Sequence, residues 1–96
     1  MATRALNTFT SLLGSGGQRP AQLAWTDLLH GMSRAGFTVR RCRGTRRRFC
    51  PPNNITHGAL TLREPPSGFL DRRAQAKLKR KFHAVGLDYR FFANRI

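Results

Sequence analysis

An arginine-rich segment, RRCRGTRRRF at residues 40 to 49, restricts the fold more than any other feature, because six of its ten residues are arginine. No acidic residue occurs between Leu28 and Leu62 to neutralise this segment. Like charges at such spacing repel each other, and burying them without partners is costly. We therefore expect any fold of the chain to leave these side chains in water or in contact with a polyanion.

The same segment has the pattern of an antiparallel β-hairpin with its turn near Gly44. Phe37 and Val39 alternate with polar residues before the turn, and a second strand-like run, which carries Phe49, follows it. Two prolines end this second run. Because side chains alternate between the two faces of a strand, one face of the hairpin must be basic in either register.

Two amphipathic helices are predicted on either side of the hairpin. Apolar residues recur at helical spacing in two sets, which are Trp25, Leu28, Leu29, Met32 and Ala35 in the first helix and Leu70, Ala74, Leu78, Phe82 and Val85 in the second, within residues 69 to 89. Thr26 is the predicted N-cap of the first helix, with Asp27 near the positive end of its dipole, and Asp71 is placed in the first turn of the second. Gly36 and Gly86 are the predicted stops.

Residues 55 to 64 are predicted to form a third strand, because Leu60 and Leu62 fall on one face of an extended run. The predicted order is therefore helix, three antiparallel strands, helix. We expect an α+β fold, an α-β-β-β-α two-layer sandwich in which both helices cover one face of a three-stranded antiparallel sheet. Phe91 or Phe92 is expected to return the C-terminal segment to this core.

Residues 1 to 20 differ in composition from the rest of the chain, with two arginines, five Ser or Thr and no acidic residue. Leu6, Phe9 and Leu13 have the spacing of a short amphipathic helix. This composition is typical of a mitochondrial transit segment, and a flexible tail is the alternative. We expect residues 21 to 96 to form a single domain. The expected location is intracellular, in the mitochondrial matrix if residues 1 to 20 direct import and otherwise in the cytoplasm or nucleus, with both cysteines reduced.

The charge of the whole chain points to an anionic partner. Eighteen Lys and Arg against four acidic residues give a net charge of +14, which favours nucleic acid or a ribonucleoprotein as partner. Most of the cations are arginine, which matches the geometry of phosphate. RNA is the favoured partner and DNA the alternative, and no run of residues is long and apolar enough for a membrane span. The predicted nucleic-acid-binding residues are Arg40, Arg43, Arg46, Arg47, Arg48, Arg72, Arg73, Lys77 and Arg80.

Three segments, LLHGMSRAGF, RGTRRRF and GLDYRFF, fall in this predicted order of elements. In that order they resemble the HicA-type toxin domain and its fungal relatives, over about residues 23 to 92. The resemblance implies a fold like that of a double-stranded RNA-binding domain. It also implies RNA as the target and an antitoxin-like protein as a partner. The alternative protein partner is a component of a ribonucleoprotein.

The chain departs from the catalytic pattern of that family. Bacterial members cleave messenger RNA with the histidine of a Gly-Ser-His segment, where this chain has Gly44, Thr45 and Arg46. A His-x-Pro-His-Pro segment of the fungal relatives is also missing, at residues 62 to 66. Arginine cannot act as a general base. The predicted function is therefore non-catalytic binding of structured or double-stranded RNA. The alternatives are a HicA-like messenger RNA ribonuclease toxin that uses His57 as a substitute base, and a structural protein of a mitochondrial or other ribonucleoprotein.

No metal site and no cofactor are predicted from the sequence. Cys42, Cys50 and His57 lack the paired spacing that metal-binding cysteines and histidines show. His30 is expected to be an exposed helix residue, because no second ligand follows it by three or four positions. His83 is expected at the surface of the second helix or at its boundary with the core.

Overall fold

The computed structural model describes residues 3–13, 22–52 and 58–96, and of residues 3–6 it describes the backbone only. In these ranges the chain forms four helices and five strands. They are α1 (Thr3–Leu13), β1 (Gln22–Ala24), α2 (Trp25–Arg34), β2 (Thr38–Arg41), β3 (Arg46–Cys50), β4 (Leu60–Arg63), β5 (Phe69–Asp71), α3 (Arg72–Ala84) and α4 (Tyr89–Arg95). The succession α2, β2, β3, β4, α3 confirms the predicted α+β fold.

Strands β2, β3 and β4 form one antiparallel sheet in that spatial order. Phe49 in the central strand is paired with Val39 on one side and Leu60 on the other. Phe49 is fully buried, and the ring of Trp25 on α2 packs edge-on against it with 6.0 Å between ring centroids. Leu78 of α3 belongs to the same core. One face of the sheet is therefore covered by helices, as predicted, and the other faces outward.

The short strands β1 and β5 form a second, two-stranded antiparallel sheet. The prediction that the second helix begins near Phe69 is wrong at its first turn, because residues 69–71 pair with β1 instead. The predicted N-cap at Thr26 is also wrong. The observed N-cap is Ala24, two residues earlier, and the helix begins at Trp25, whose backbone N–H donates to the carbonyl of Gly68 at 2.9 Å. This tertiary hydrogen bond satisfies one of the amides at the start of the helix that have no partner within the helix.

Asp71 is the N-cap of α3, and its carboxylate accepts a hydrogen bond from the Ala74 N–H at 2.7 Å. Gly36 and Gly86 follow α2 and α3 with φ of 95° and 81°, the left-handed conformation expected of glycine after a helix. Both predicted stops are therefore confirmed. Among the described residues of the predicted third strand, Leu60–Arg63 form a strand and residues 58, 59 and 64 do not. Residues 55 to 57, which include His57, lie outside the described part of the chain.

Aromatic rings form the centre of the core around Phe92 of α4, which is fully buried. Phe9 of α1 stacks on Phe92 with 3.8 Å between centroids and 7° between ring planes. Phe82 of α3 lies at 5.5 Å from the same ring, so three helices meet there. The predicted return of the C-terminal segment to the core is confirmed.

The predicted amphipathic helix in the N-terminal segment is present as α1. Its residues Phe9, Leu12 and Leu13 belong to the same hydrophobic core as the rest of the domain. Phe9 also lies against Gly31 of α2, where a Cβ atom would come within 2.8 Å of the ring. Whether residues 1 to 20 direct import stays a prediction. Within the described ranges, no helix combines the length and apolar character that crossing a membrane would require.

Candidate nucleic-acid interface

The outward face of the three-stranded sheet carries exposed arginines on all three strands. Residues directly opposite each other on neighbouring strands point to the same face of a sheet. Arg40 is paired with Arg48, and Arg46 is paired with Arg63. All four side chains are exposed. We call Arg40, Arg46, Arg48 and Arg63 the arginine face; the other strand residues on this side, Thr38, Cys50 and Thr61, carry no negative charge.

Hydrogen bonding shows which of these pairs are closest. The Glu64 N–H donates to the Thr45 carbonyl at 2.8 Å, next to the Arg46–Arg63 pair. Hydrogen-bonded and non-hydrogen-bonded pairs alternate along antiparallel strands, so Arg46 and Arg63 form a non-hydrogen-bonded pair, with Cα atoms at about 4.5 Å. The two arginine side chains therefore start from the closest approach that neighbouring antiparallel strands allow.

The same alternation of hydrogen-bonded and non-hydrogen-bonded pairs shows which backbone groups are directed to the free edge of β4. This strand lies at the edge of the sheet, and among the described residues no other strand pairs with its second side. Leu60 and Leu62 direct their backbone polar groups to β3, which leaves the N–H and C=O groups of Thr61 and Arg63 directed away from it. An edge of this kind is open to hydrogen bonding with another molecule.

A groove of about 620 Å³ lies between the edge of β4 and the helix α3. We call it the β4–α3 groove. Its apolar lining comes from Trp25, Leu62, Leu70, Ala74 and Leu78, and its polar lining from Arg46, Thr61, Arg63, Lys77 and Lys81. Lys77 and Lys81 are one helical turn apart and so lie on the same side of α3. The groove therefore combines an apolar surface with cations from both the sheet and the helix, and none of the described residues that line it is acidic.

Arg47 differs from its neighbours in β3, because its side chain is on the core side of the sheet and only 15% exposed. Its guanidinium donates to the carbonyls of Gly44 and Arg46 at 3.0 and 2.9 Å. It also lies 3.4 Å from the carboxylate of Glu64. These contacts connect the hairpin turn to the residue that follows β4, so the structure gives Arg47 a role in holding the hairpin.

The predicted binding residues are divided between several surfaces. Arg46 and Lys77 line the same groove, and Arg40 and Arg48 share the sheet face with Arg46. Arg43 is exposed at the hairpin turn. Arg72, Arg73 and Arg80 are exposed on α3 but do not line the groove.

Sequence reasoning missed Arg63 and Lys81, which both line the groove. A signal for each was present in the sequence. Arg63 falls on the opposite face of β4 from Leu60 and Leu62, and Lys81 follows Lys77 by four positions.

The histidines whose positions are described do not form a catalytic site. His30 is half-buried on α2, so the prediction that it is exposed is wrong, whereas His83 is exposed on α3 as predicted, and neither lines the groove. Cys42 and Cys50 are free thiols. Within residues 3–13, 22–52 and 58–96, no cluster of three His, Cys, Asp or Glu side chains is placed to hold a metal ion.

The chain matches no family model, no curated protein and no solved structure. What the site can bind is therefore inferred from its own charges, shape and hydrogen-bonding groups.

Proposed function

We propose that this protein is a small RNA-binding domain that contacts the phosphate backbone of structured or double-stranded RNA and does not cleave it. The observation that carries this proposal is the arginine face, where arginines from three neighbouring strands are exposed side by side. Like charges directly opposite each other on neighbouring strands are destabilising. A polyanion that lies across the face reverses that repulsion, because each phosphate neutralises an arginine.

Helix α3, on the other side of the sheet, carries a second cationic surface that meets the arginine face at the β4–α3 groove. Arg73, Lys77 and Arg80 recur along one side of it and are exposed. Phosphate contacts of this kind fix the position of a protein on a duplex and carry no sequence information. We therefore expect binding that depends steeply on salt and only weakly on sequence.

RNA is proposed over DNA because of the order of elements. The succession α2, β2, β3, β4, α3 is the order that the resemblance to HicA-type domains implies. A double-stranded RNA-binding-domain-like fold recognises A-form duplex mainly by shape and by contacts to phosphate and the 2′-OH. The helices α1 and α4 and the strands β1 and β5 are additions to that order.

Binding without cleavage is proposed because of the chemistry of the groove. Cleavage of RNA by general acid–base catalysis needs a side chain that can exchange a proton near the working pH. The ionisable residues that line the groove are arginines and lysines. A ribonuclease would therefore depend on His57, which lies outside the described residues.

The test is a competition among nucleic acids of matched length and sequence. We expect an RNA duplex to displace a labelled RNA duplex from the protein more effectively than a DNA duplex or single-stranded RNA does. The recovered RNA should be intact on a denaturing gel. Failure of all three to bind at low salt would overturn the proposal, and cleavage that His57→Ala abolishes would replace it with the ribonuclease alternative.

A further inference from the structure

We propose that the β4–α3 groove binds one unpaired nucleotide of the RNA, with its base on the apolar lining and its phosphate between the sheet and helix cations. This inference rests on the proposed RNA-binding function and adds a specificity to it, because a bulged or terminal nucleotide would be recognised in addition to the duplex. The groove volume of about 620 Å³ is in the range of pockets that enclose a compact ligand.

The apolar lining of the groove is suited to a flat base. Leu62, Leu70 and Leu78 come from the sheet edge, β5 and α3, and Trp25 lies among them. Trp25 is only 4% exposed, and within the described residues its Nε1–H has no hydrogen-bond acceptor. A buried donor without an acceptor costs free energy. Because Nε1 itself is closed to solvent, a carbonyl oxygen of a bound base would supply the acceptor only after the indole ring shifts toward the groove.

The cations of the groove are arranged on two sides of this apolar surface. Arg46 and Arg63 come from the sheet, and Lys77 and Lys81 come from α3. Phosphate accepts hydrogen bonds from several cations at once, and arginine binds it through two parallel N–H groups. A phosphate between the two walls would neutralise charges that the groove itself leaves without an acidic partner.

The free edge of β4 supplies the remaining polar groups. The register directs the N–H and C=O groups of Thr61 and Arg63 to the side of β4 away from β3. A base carries both donors and acceptors on its edge, and backbone groups can pair with them. The groove thus has partners for a phosphate, for the face of a base and for its edge, whereas an inorganic anion would use only the first.

Trp25 is the only tryptophan, so its fluorescence reports on the groove directly. The first experiment titrates the whole protein with adenosine 5′-monophosphate, uridine 5′-monophosphate and inorganic phosphate. We expect a saturable change with at least one nucleotide and a smaller change with phosphate at the same concentration. An equal response to inorganic phosphate, or no response to either nucleotide, would overturn the proposal.

The second experiment compares a fully paired RNA duplex with the same duplex carrying a single bulged nucleotide. The bulged duplex should bind about tenfold more tightly, an effect at the low end of that expected for one base stacked on an aromatic side chain. The variant Lys77→Gln/Lys81→Gln should lose this preference. Its control is Lys79→Gln/Arg90→Gln, which removes the same charge outside the groove and should keep the preference.

The outcomes separate this inference from the proposed function. Equal affinity for the two duplexes would overturn the groove inference while RNA binding stands. A second outcome is that neither duplex binds but the fluorescence still responds to a nucleotide, and that Lys77→Gln/Lys81→Gln removes this response. That outcome would contradict the RNA-binding function and leave the groove as a site for free nucleotides. A hexaglutamate peptide and the bulged RNA are also compared as competitors of the bound nucleotide. If the peptide displaces the nucleotide at a lower concentration than the RNA does, the inference is overturned in favour of an acidic protein strand on the β4 edge.

Discussion

Arg46 of β3 lies directly across from Arg63 of β4, in a non-hydrogen-bonded antiparallel pair where side chains are closest. Both residues also line the β4–α3 groove. Their mutual repulsion is a cost to the free protein that a bound phosphate would relieve. The pair therefore connects the stability of the domain with the binding function that we propose.

The first prediction concerns that repulsion. Arg63→Gln should stabilise the free protein by about 0.5 kcal/mol at low salt, because it removes a like charge across the strand pair. For a domain of this size, this corresponds to a rise in Tm of roughly 3 °C. Thermal unfolding at several salt concentrations measures it, and the difference should shrink as salt screens the exposed charges.

The control for this prediction is Arg43→Gln, which removes a charge at the hairpin turn without a residue opposite it in the register. Its Tm should change less than that of Arg63→Gln. A lower Tm for Arg63→Gln than for the unchanged protein would contradict the repulsion that we infer.

The second prediction separates Arg47 from the arginine face. Arg47→Gln should destabilise the domain by about 1 kcal/mol, because it removes hydrogen bonds to two carbonyls and the contact with Glu64. Urea unfolding measures this as a lower midpoint. The affinity for RNA at temperatures where both proteins are folded should change little. Arg46→Gln should instead lower the affinity for RNA without destabilising the domain. Identical effects of the two substitutions on stability and on affinity would contradict the separate roles of Arg46 and Arg47.

The third prediction tests whether α1 is docked on α2. In most helices, Gly→Ala is stabilising by up to about 1 kcal/mol. Gly31→Ala should instead destabilise by roughly 1 to 3 kcal/mol, because the added Cβ would lie 2.8 Å from the Phe9 ring. That ring cannot move aside easily, since it is fully buried and stacked on Phe92. Chemical denaturation of the full chain measures the change.

A double-mutant cycle with Phe9→Leu supplies the control. Leucine lacks the outer ring atoms that Gly31→Ala would contact, so in the Phe9→Leu protein the same glycine substitution should cost much less. Additive effects of the two substitutions, or a stabilised Gly31→Ala protein, would show that α1 does not pack against Gly31.

Periodicity predicts the part of the fold in which each element is regular and long enough to carry a pattern. Apolar spacing predicted the presence and order of α2 and α3 and the alternation around Phe49 and Leu60, but it put the start of α3 too early and the N-cap of α2 too late. The strands β1 and β5 have three residues each, which is too short for alternation to be recognised, and they pair across a large separation in sequence. The docking of α1 on the core also depends on tertiary contacts, such as that of Phe9 with Phe92, that local spacing does not encode.

The features of the candidate site that depend on local alternation could also be predicted, and those that depend on the packing of distant elements could not. Alternation showed that one face of the hairpin must be basic and put Arg47 on the same face as Phe49, but it did not show what the side chain of Arg47 contacts there. The ion pair between Arg47 and Glu64 can be predicted only if the register of β3 with β4 is known. The groove depends on where α3 lies relative to the edge of β4, and Trp25 was expected only as a core residue. Both features come from the packing of elements distant in sequence.

The most direct test of the RNA-binding account is the salt dependence of binding to a fully paired RNA duplex. Each phosphate contact contributes about 0.9 to the slope of the logarithm of affinity against the logarithm of salt concentration, as measured on duplex DNA. Arg46→Gln/Arg63→Gln should reduce the slope by roughly 1 to 2, with about a tenfold loss of affinity at low salt. The matched control Arg34→Gln/Arg90→Gln removes two exposed charges on α2 and α4 and should leave the slope nearly unchanged. Equal reductions for the two variants, or a slope near zero for the unchanged protein, would contradict the account.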